Sequence, residues 1–250
     1  MPVRHDPAGS SGALKADSPR VLVIGCGALA RELLALTRHL PGVQVACIDA
    51  GLHMRPERIA GAVAARIARA RRDFGPDTRI FVAYADCGTR GSLDAVLAQA
   101  GVERIGGAHC YEFYAGAATF AALQDQDPGT FYLTDFLARQ FDTMIVRGLG
   151  LDRHPELLPM YFGNYHRVVY LSQTDDPVLL ATARGAAVRL GLTFEHRPTG
   201  LGDLAVAIDG FVTTSPRGRA PGHPGAFARG QMSAEGAHPT LSANSTNVAI

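Results

Sequence analysis

Three cysteines, Cys26, Cys87 and Cys110, each follow directly on a run of residues that reads as a buried β-strand. VLVIG (21–25) precedes the first, RIFVAYAD (79–86) the second and VERIGGAH (102–109) the third. In open parallel sheets, ligands are held in the crevice outside the carboxyl ends of the strands. If these strands run parallel, three thiols from distant parts of the chain arrive at one edge. Thiolates are soft ligands that select zinc, copper(I) or iron–sulfur centres. Three protein ligands beside an open position is the form of a catalytic zinc site, and a four-iron cluster with one uncapped iron asks the same of a protein. The fourth cysteine, Cys47, lies inside VQVACID (43–49) among apolar neighbours and reads as a core side chain.

Gly25, Gly27 and Gly88 flank these thiols and would let backbone approach a bound centre, their amides facing negatively charged sulfur. His109 joins the three cysteines in the candidate metal set, with His53, Asp86 and Glu112 as further candidates for a fourth donor or for support. Alternation along an extended chain places His109 and Cys110 on opposite faces, which weakens the case for His109.

The same first turn supports a second reading. Gly25-x-Gly27-x-x-Ala30 satisfies the dinucleotide fingerprint, and Asp49 closes the next strand where a ribose hydroxyl would be met. On that reading the chain is a nicotinamide-dependent oxidoreductase binding NAD(P) through Gly25, Gly27, Ala30 and Asp49. It leaves Cys87 and Cys110 unexplained.

The elements that must position these residues alternate between strand and helix. That pattern predicts an α/β fold with mainly parallel sheets, helices on both faces, and two similar lobes enclosing a cleft. A first lobe over 19–126 carries the strands at 21–25, 43–49, 79–86 and 102–109, with helices near 28–40, 56–73 and 91–100. Pro56 suits the first turn of the second of these helices. A second lobe over 127–214 holds GTFYL, a helix from Asp135, HRVVYLSQ (166–173), a helix from Pro177 to Leu190, and LTFEHRP (192–198). Residues 1–18 read as a flexible leader and 215–250 as a flexible tail, in which His223 and His238 lack a scaffold.

The second lobe offers further pocket residues. Thr130, Tyr132, Tyr161, Asn164 and Tyr165 could orient a small polar ligand, while Thr134 or Asp135 reads as a helix N-cap. The loop GLGLDRHPEL sets Asp152 and His154 among glycines and a proline, the composition of a loop that caps a site. TGLGDL (199–204) reads as a glycine-rich turn.

Bulk properties narrow the classes. With 250 residues, 47% hydrophobic and 19% charged, the chain can build one large core or two small lobes. A net charge of +1 gives no support to a nucleic-acid partner. Arg66, Arg69, Arg71 and Arg72 fall at a helix end as a solvated face. No apolar run approaches a membrane span, and the first residues lack the apolar stretch of a secretory signal. A cytoplasmic setting is the expectation, in which thiols stay reduced.

YADCGTRGSLD, GGAHCYEFYAG, PGTFYLTDFLARQFD, GLGLDRHPEL and YFGNYHRVVYLSQ together resemble the family named domain of unknown function 1638, over about residues 20–205. Members of that family resemble one another in a cysteine after the first strand, a G/D-C-G/S turn and a later H-C or H-D-C element. Here these fall on Cys26, Cys87 and Cys110. The resemblance implies a place beside corrinoid-dependent methyl transfer and one-carbon metabolism, with corrinoid or methyltransferase proteins as partners and a small molecule as ligand. It assigns no reaction. The expectation is therefore a zinc or iron–sulfur protein built on three strand-end cysteines, with enzyme and metal-carrying accessory roles both open.

Overall fold

The computed structural model describes residues 21–214. The expected leader and tail, with His223 and His238, lie outside the described residues.

The first sheet begins with β1 (Val21–Cys26), in which every residue is buried. An unbroken run of Val, Leu and Ile is what a strand covered on both faces requires. A 3₁₀ turn (Gly27–Leu29) leads into α1 (Ala30–Thr37), followed by β2 (Val43–Ile48). Two short 3₁₀ turns, Ala50–Met54 and Pro56–Arg58, then open α2 (Ile59–Phe74), with Pro56 at the first helical position of the second turn. Next come β3 (Arg79–Ala83), α3 (Ser92–Ala100) and β4 (Glu103–Arg104), and then α4 (Cys110–Ala115) and α5 (Ala117–Gln126). All four strands are parallel, in the order β2-β1-β3-β4. The chain steps outward from β1 to β2 and then returns past β1 to β3. This reversal opens a crevice at the carboxyl ends of β1 and β3, the place where open α/β sheets hold ligands.

The second sheet is simpler. Its strands are β5 (Thr130–Leu133), β6 (Arg167–Ser172) and β7 (Thr193–Pro198), parallel and in chain order without a reversal. Between β5 and β6 lie α6 (Asp135–Gln140), a π-helical stretch (Phe141–Arg147) and α7 (Leu158–Phe162). Between β6 and β7 lies α8 (Pro177–Leu190), capped by the Asp176 carboxylate, which accepts from Val178 N at 2.9 Å and Leu179 N at 3.2 Å. Both faces are covered. Phe131, Leu133, Val168 and Tyr170 pack with side chains of α6 and α8, whereas Tyr132, Val169 and Leu171 pack with Phe120 and Leu123 of α5.

The parallel α/β architecture matches expectation, with two differences. The fourth strand spans two residues rather than 102–109. After it, Ile105 N still bonds Val82 O at 3.1 Å, but Gly106 and Gly107 turn the chain away, Gly107 at φ 122°. The second difference is a helix, α9 (Gly202–Thr213), where only a glycine turn was expected. Leu204 and Ile208 of α9 are buried in the core of the first sheet, and Phe211 O accepts from Arg79 Nη2 at 2.6 Å. The two halves thus exchange elements: α5 covers the second sheet and α9 completes the first.

Among the described residues, no helix is long and apolar enough to cross a membrane.

Candidate functional site

The reversal between β1 and β3 decides where the cysteines meet. Cys26 is the last residue of β1, Cys87 follows β3 by a short loop, and Cys110 is the first residue of α4, beyond the adjacent β4. All three line one narrow cleft, together with His53 and Tyr84. Phe113 and small apolar side chains form the rest of the wall, and the space is too tight for a water molecule. Cys47, expected in the core, is half-buried on the edge strand β2, opposite Gly25, and is not part of the core cluster.

Each thiol is held by a local device. The Cys26 sulfur accepts the Ala28 N–H at 3.3 Å and so caps the turn that opens α1. In a dinucleotide fold that N-terminus would face a phosphate; here a sulfur occupies it. Burial pushes the Cys26 thiol up to about 11, against the opposing pull of Ala28 N–H. Cys87 adopts a left-handed φ of 46°, uncommon for a residue with a Cβ. Its backbone is held by a bond from Cys87 N to Ala108 O at 2.8 Å, and by one from the preceding Asp86 N to Gly107 O at 3.0 Å. The Asp86 carboxylate organises the loop from within, accepting from Thr89 Oγ1 at 2.7 Å, Gly91 N at 3.0 Å and Arg90 N at 3.2 Å. Partial burial works against that carboxylate's charge, but these bonds and the charge of Arg104 outweigh it and hold the pKa below the usual value. Cys110 is pushed well above the ordinary thiol value by burial and by the neighbouring Cys87 and Cys26 sulfurs.

His53 and Tyr84 complete the cluster. His53 comes from the turn Ala50–Met54, whose start is tied by Gly51 N donating to Asp49 Oδ1 at 2.9 Å. Its Nδ1 lies 3.0 Å from Ala50 O and 3.6 Å from Cys26 Sγ. Burial opposes its imidazolium, but contact with Cys87 and the Ala50 carbonyl outweigh this and raise its pKa. The ring stacks on Tyr84, with centroids 5.9 Å apart and planes 17° apart. Tyr84 is 1% exposed, and its hydroxyl, with the three thiols as neighbours, has no hydrogen-bond partner of good geometry. Burial, followed by those thiols, drives its pKa far above the ordinary value, so the phenol keeps its proton.

Other expected residues stand elsewhere. His109 is outside the cleft lining; Glu112 Oε1 instead caps this start of α4, accepting from Ala108 N at 2.9 Å and His109 N at 3.3 Å. Asp152 and His154 face solvent, with His154 Nδ1 3.1 Å from Glu156 Oε1. In that loop it is Leu151 that turns inward, to the core of the second sheet, which sends its polar neighbours out. Gly25 and Gly27 are explained by packing. A Cβ on Gly25 would lie 2.2 Å from Leu33 Cδ1, and one on Gly27 would lie 2.9 Å from Ile48 O. Asp49 spends its carboxylate on the turn that carries His53.

Two buried carboxylates stand out: Glu32, which the sequence does not single out, and Asp135, which reads there as a candidate helix N-cap. Glu32 of α1 is 6% exposed, and its Oε2 has no partner, although Arg139 and Asp135 of α6 lie near. Asp135 is fully buried and accepts from Tyr170 OH at 2.6 Å, Gln173 N at 3.0 Å, Thr174 Oγ1 at 2.5 Å and Arg139 Nη2 at 3.5 Å. The N-cap of α6 is Thr134, whose Oγ1 accepts from Leu137 N at 3.3 Å. A second, open groove of about 510 Å³ runs beside β7, but its Glu195 is already paired with Arg167 and Arg197.

Residues 47–208 match the family model described as protein of unknown function, DUF1638. The chain belongs to the DUF1638 family. The matched DUF1638 span contains Cys87, Cys110 and His53, while Cys26 and its glycine turn lie before it. No curated protein and no solved structure matches the chain.

Among the described residues, no three His, Cys, Asp or Glu side chains already stand in coordination geometry. The three thiols and His53 line one cleft without forming such a group.

Proposed function

We propose that this DUF1638 protein binds a zinc ion or an iron–sulfur centre through Cys26, Cys87 and Cys110, and that it acts in corrinoid-linked methyl transfer or one-carbon metabolism in the cytoplasm. The observation that carries the reading is the reversal of strand order between β1 and β3, with one thiol at the end of β1, a second in the loop after β3 and a third beyond β4. Three sulfurs brought together by three separate crossovers form a soft donor set suited to these metals and poorly suited to magnesium or calcium. The buried, unpartnered Tyr84 hydroxyl supports it, because a phenol that keeps its proton can donate to a negatively charged sulfur.

When bound, such a centre supplies either a metal-activated thiolate or an electron-transfer group. The chain's own residues then have defined tasks. Ala28 N–H steadies the Cys26 sulfur, the Asp86 loop fixes Cys87, and Phe113 with its apolar neighbours excludes water. A small-molecule ligand, and corrinoid or methyltransferase proteins as partners, belong to the same proposal.

Nicotinamide binding is the competing reading. It is weakened by the packing roles of Gly25 and Gly27, by the sulfur at the α1 N-terminus and by the use of Asp49 in a turn. Purification without oxygen, followed by assay of zinc, iron and acid-labile sulfide, tests the proposal. One centre per chain in wild type, lost in Cys26→Ser, Cys87→Ser and Cys110→Ser, is expected. Metal-free protein that binds NADH would overturn it. Turnover of a methyl acceptor, against release of the metal to a partner, separates an enzyme from a carrier.

A further inference from the structure

We propose that the groove beside β7 is a binding site for a small organic acid, a single carboxylate carried on an apolar body. The groove lies across α4 from the thiols: Cys110 and Phe113 of that helix line the cleft, whereas Tyr114 and Ala115 line the groove. The proposal goes beyond the three-thiol centre and does not depend on it.

The groove follows from the width of the second sheet. Tyr132, Val169 and Glu195 are aligned across β5, β6 and β7, and Leu171 is aligned with Arg197. α5 covers the first two strands, with Phe120 and Leu123 packed on Tyr132, Val169 and Leu171. On β7 the aligned side chains are the charged Glu195 and Arg197, and the space beside them measures about 510 Å³. Small-molecule sites commonly enclose about 300–1,000 Å³.

The carboxylate of this groove is spent, and its donors are not. Glu195 accepts from Arg167 Nη1 at 3.0 Å through one oxygen and from Arg197 Nε through the other. Among the described residues Arg197 uses only that Nε, so its two terminal nitrogens remain a fork of free donors at the groove wall. Arg197 is also half-exposed, and an ion pair in that setting is weak enough to admit a second acceptor. Next to Glu195, Arg167 Nη2 and the Tyr132 hydroxyl are buried without partners. A ligand must therefore bring acceptors, and a carboxylate meets a guanidinium fork with two parallel, charge-assisted hydrogen bonds.

The remaining lining sets the body of the ligand. Ala115, Leu123, Leu171 and Pro198 call for an aliphatic or aromatic frame. A multiply charged anion such as a phosphate ester fits less well, because Glu195 and Asp127 already balance Arg167 and Arg197.

The test is calorimetric titration of the metal-free full chain with 2-naphthoate, and with 2-naphthamide as its uncharged isostere. Wild type should bind the acid saturably and more tightly than the amide. Arg197→Ala, a change at a half-exposed position, should weaken the acid at least about tenfold and leave the amide unchanged. Thr119→Trp, at an exposed position on the groove wall, should fill the space and abolish binding of both. No binding of the acid to wild type would overturn the site, and unchanged binding in Thr119→Trp would place it outside the groove. Equal affinity for acid and amide, or acid binding untouched by Arg197→Ala, would overturn the carboxylate assignment. The Cys26→Ser, Cys87→Ser and Cys110→Ser proteins should bind the acid as wild type does, so failure of the three-thiol centre leaves this result standing.

Discussion

The Cys26 sulfur and His53 Nδ1 lie 3.6 Å apart across 27 residues of chain. That contact joins the end of β1 to the turn after β2, at the mouth of the crevice formed by the reversal in strand order. It is also the point where the metal and dinucleotide readings diverge, because the turn that would cradle a phosphate presents a thiol instead.

Burial of Cys26 has a consequence for stability. In the unfolded chain a thiol ionises near 9, whereas in the fold Cys26 holds its proton to about 11. Between those values the unfolded state loses the proton first, so metal-free protein should lose stability as pH rises from 9 to 11. The loss should reach roughly 2–3 kcal/mol from this group. Urea unfolding at intervals across that range, with Cys26→Ala as the flatter comparison, measures it. Parallel curves would refute the assignment.

Asp135 ties α6 to β6 and the residues just after it through a fully buried carboxylate with four donors. Asp135→Ala strands the Tyr170 hydroxyl, Thr174 and the Gln173 amide. The expected cost is at least about 3 kcal/mol, read as a lower urea midpoint. A change below about 1 kcal/mol would mean the network contributes little.

Glu32 behaves in the opposite way. Burial raises its pKa, partly offset by Arg139, and one oxygen lacks a partner. Its contribution is fully present below the ordinary carboxyl value and is lost as pH rises through the raised one. Glu32→Gln should therefore stabilise the protein at pH 7 by about 1 kcal/mol, with the advantage gone near pH 4. Thermal melting at both values checks the sign, and equal melting temperatures for the two proteins at pH 7 would contradict it.

Much of this arrangement was legible in the sequence. Apolar strand runs ending at Cys26, Cys87 and Cys110 marked three positions at one edge, because parallel strands share a carboxyl end. Strand order was not legible, since alternation of strands and helices is the same for any winding. That His53 rather than His109 lines the cleft depended on that order: His109 is next to Cys110 in the chain, but only the β1–β2 pairing brings the turn Ala50–Met54 to Cys26. Glu32 was not singled out in the sequence, and the Arg139 and Asp135 charges it meets come from α6, more than a hundred residues away in the chain. The segment of α9 was hidden behind the glycines at 200 and 202, which read as a turn and in fact launch a helix into the first core.

The most direct measurement is X-ray absorption at the metal edge of anaerobically loaded wild-type protein. The account predicts three sulfur scatterers, at about 2.3 Å if the metal is zinc, and no bound centre in Cys87→Ser. A shell of oxygen and nitrogen alone would contradict the three-thiol centre.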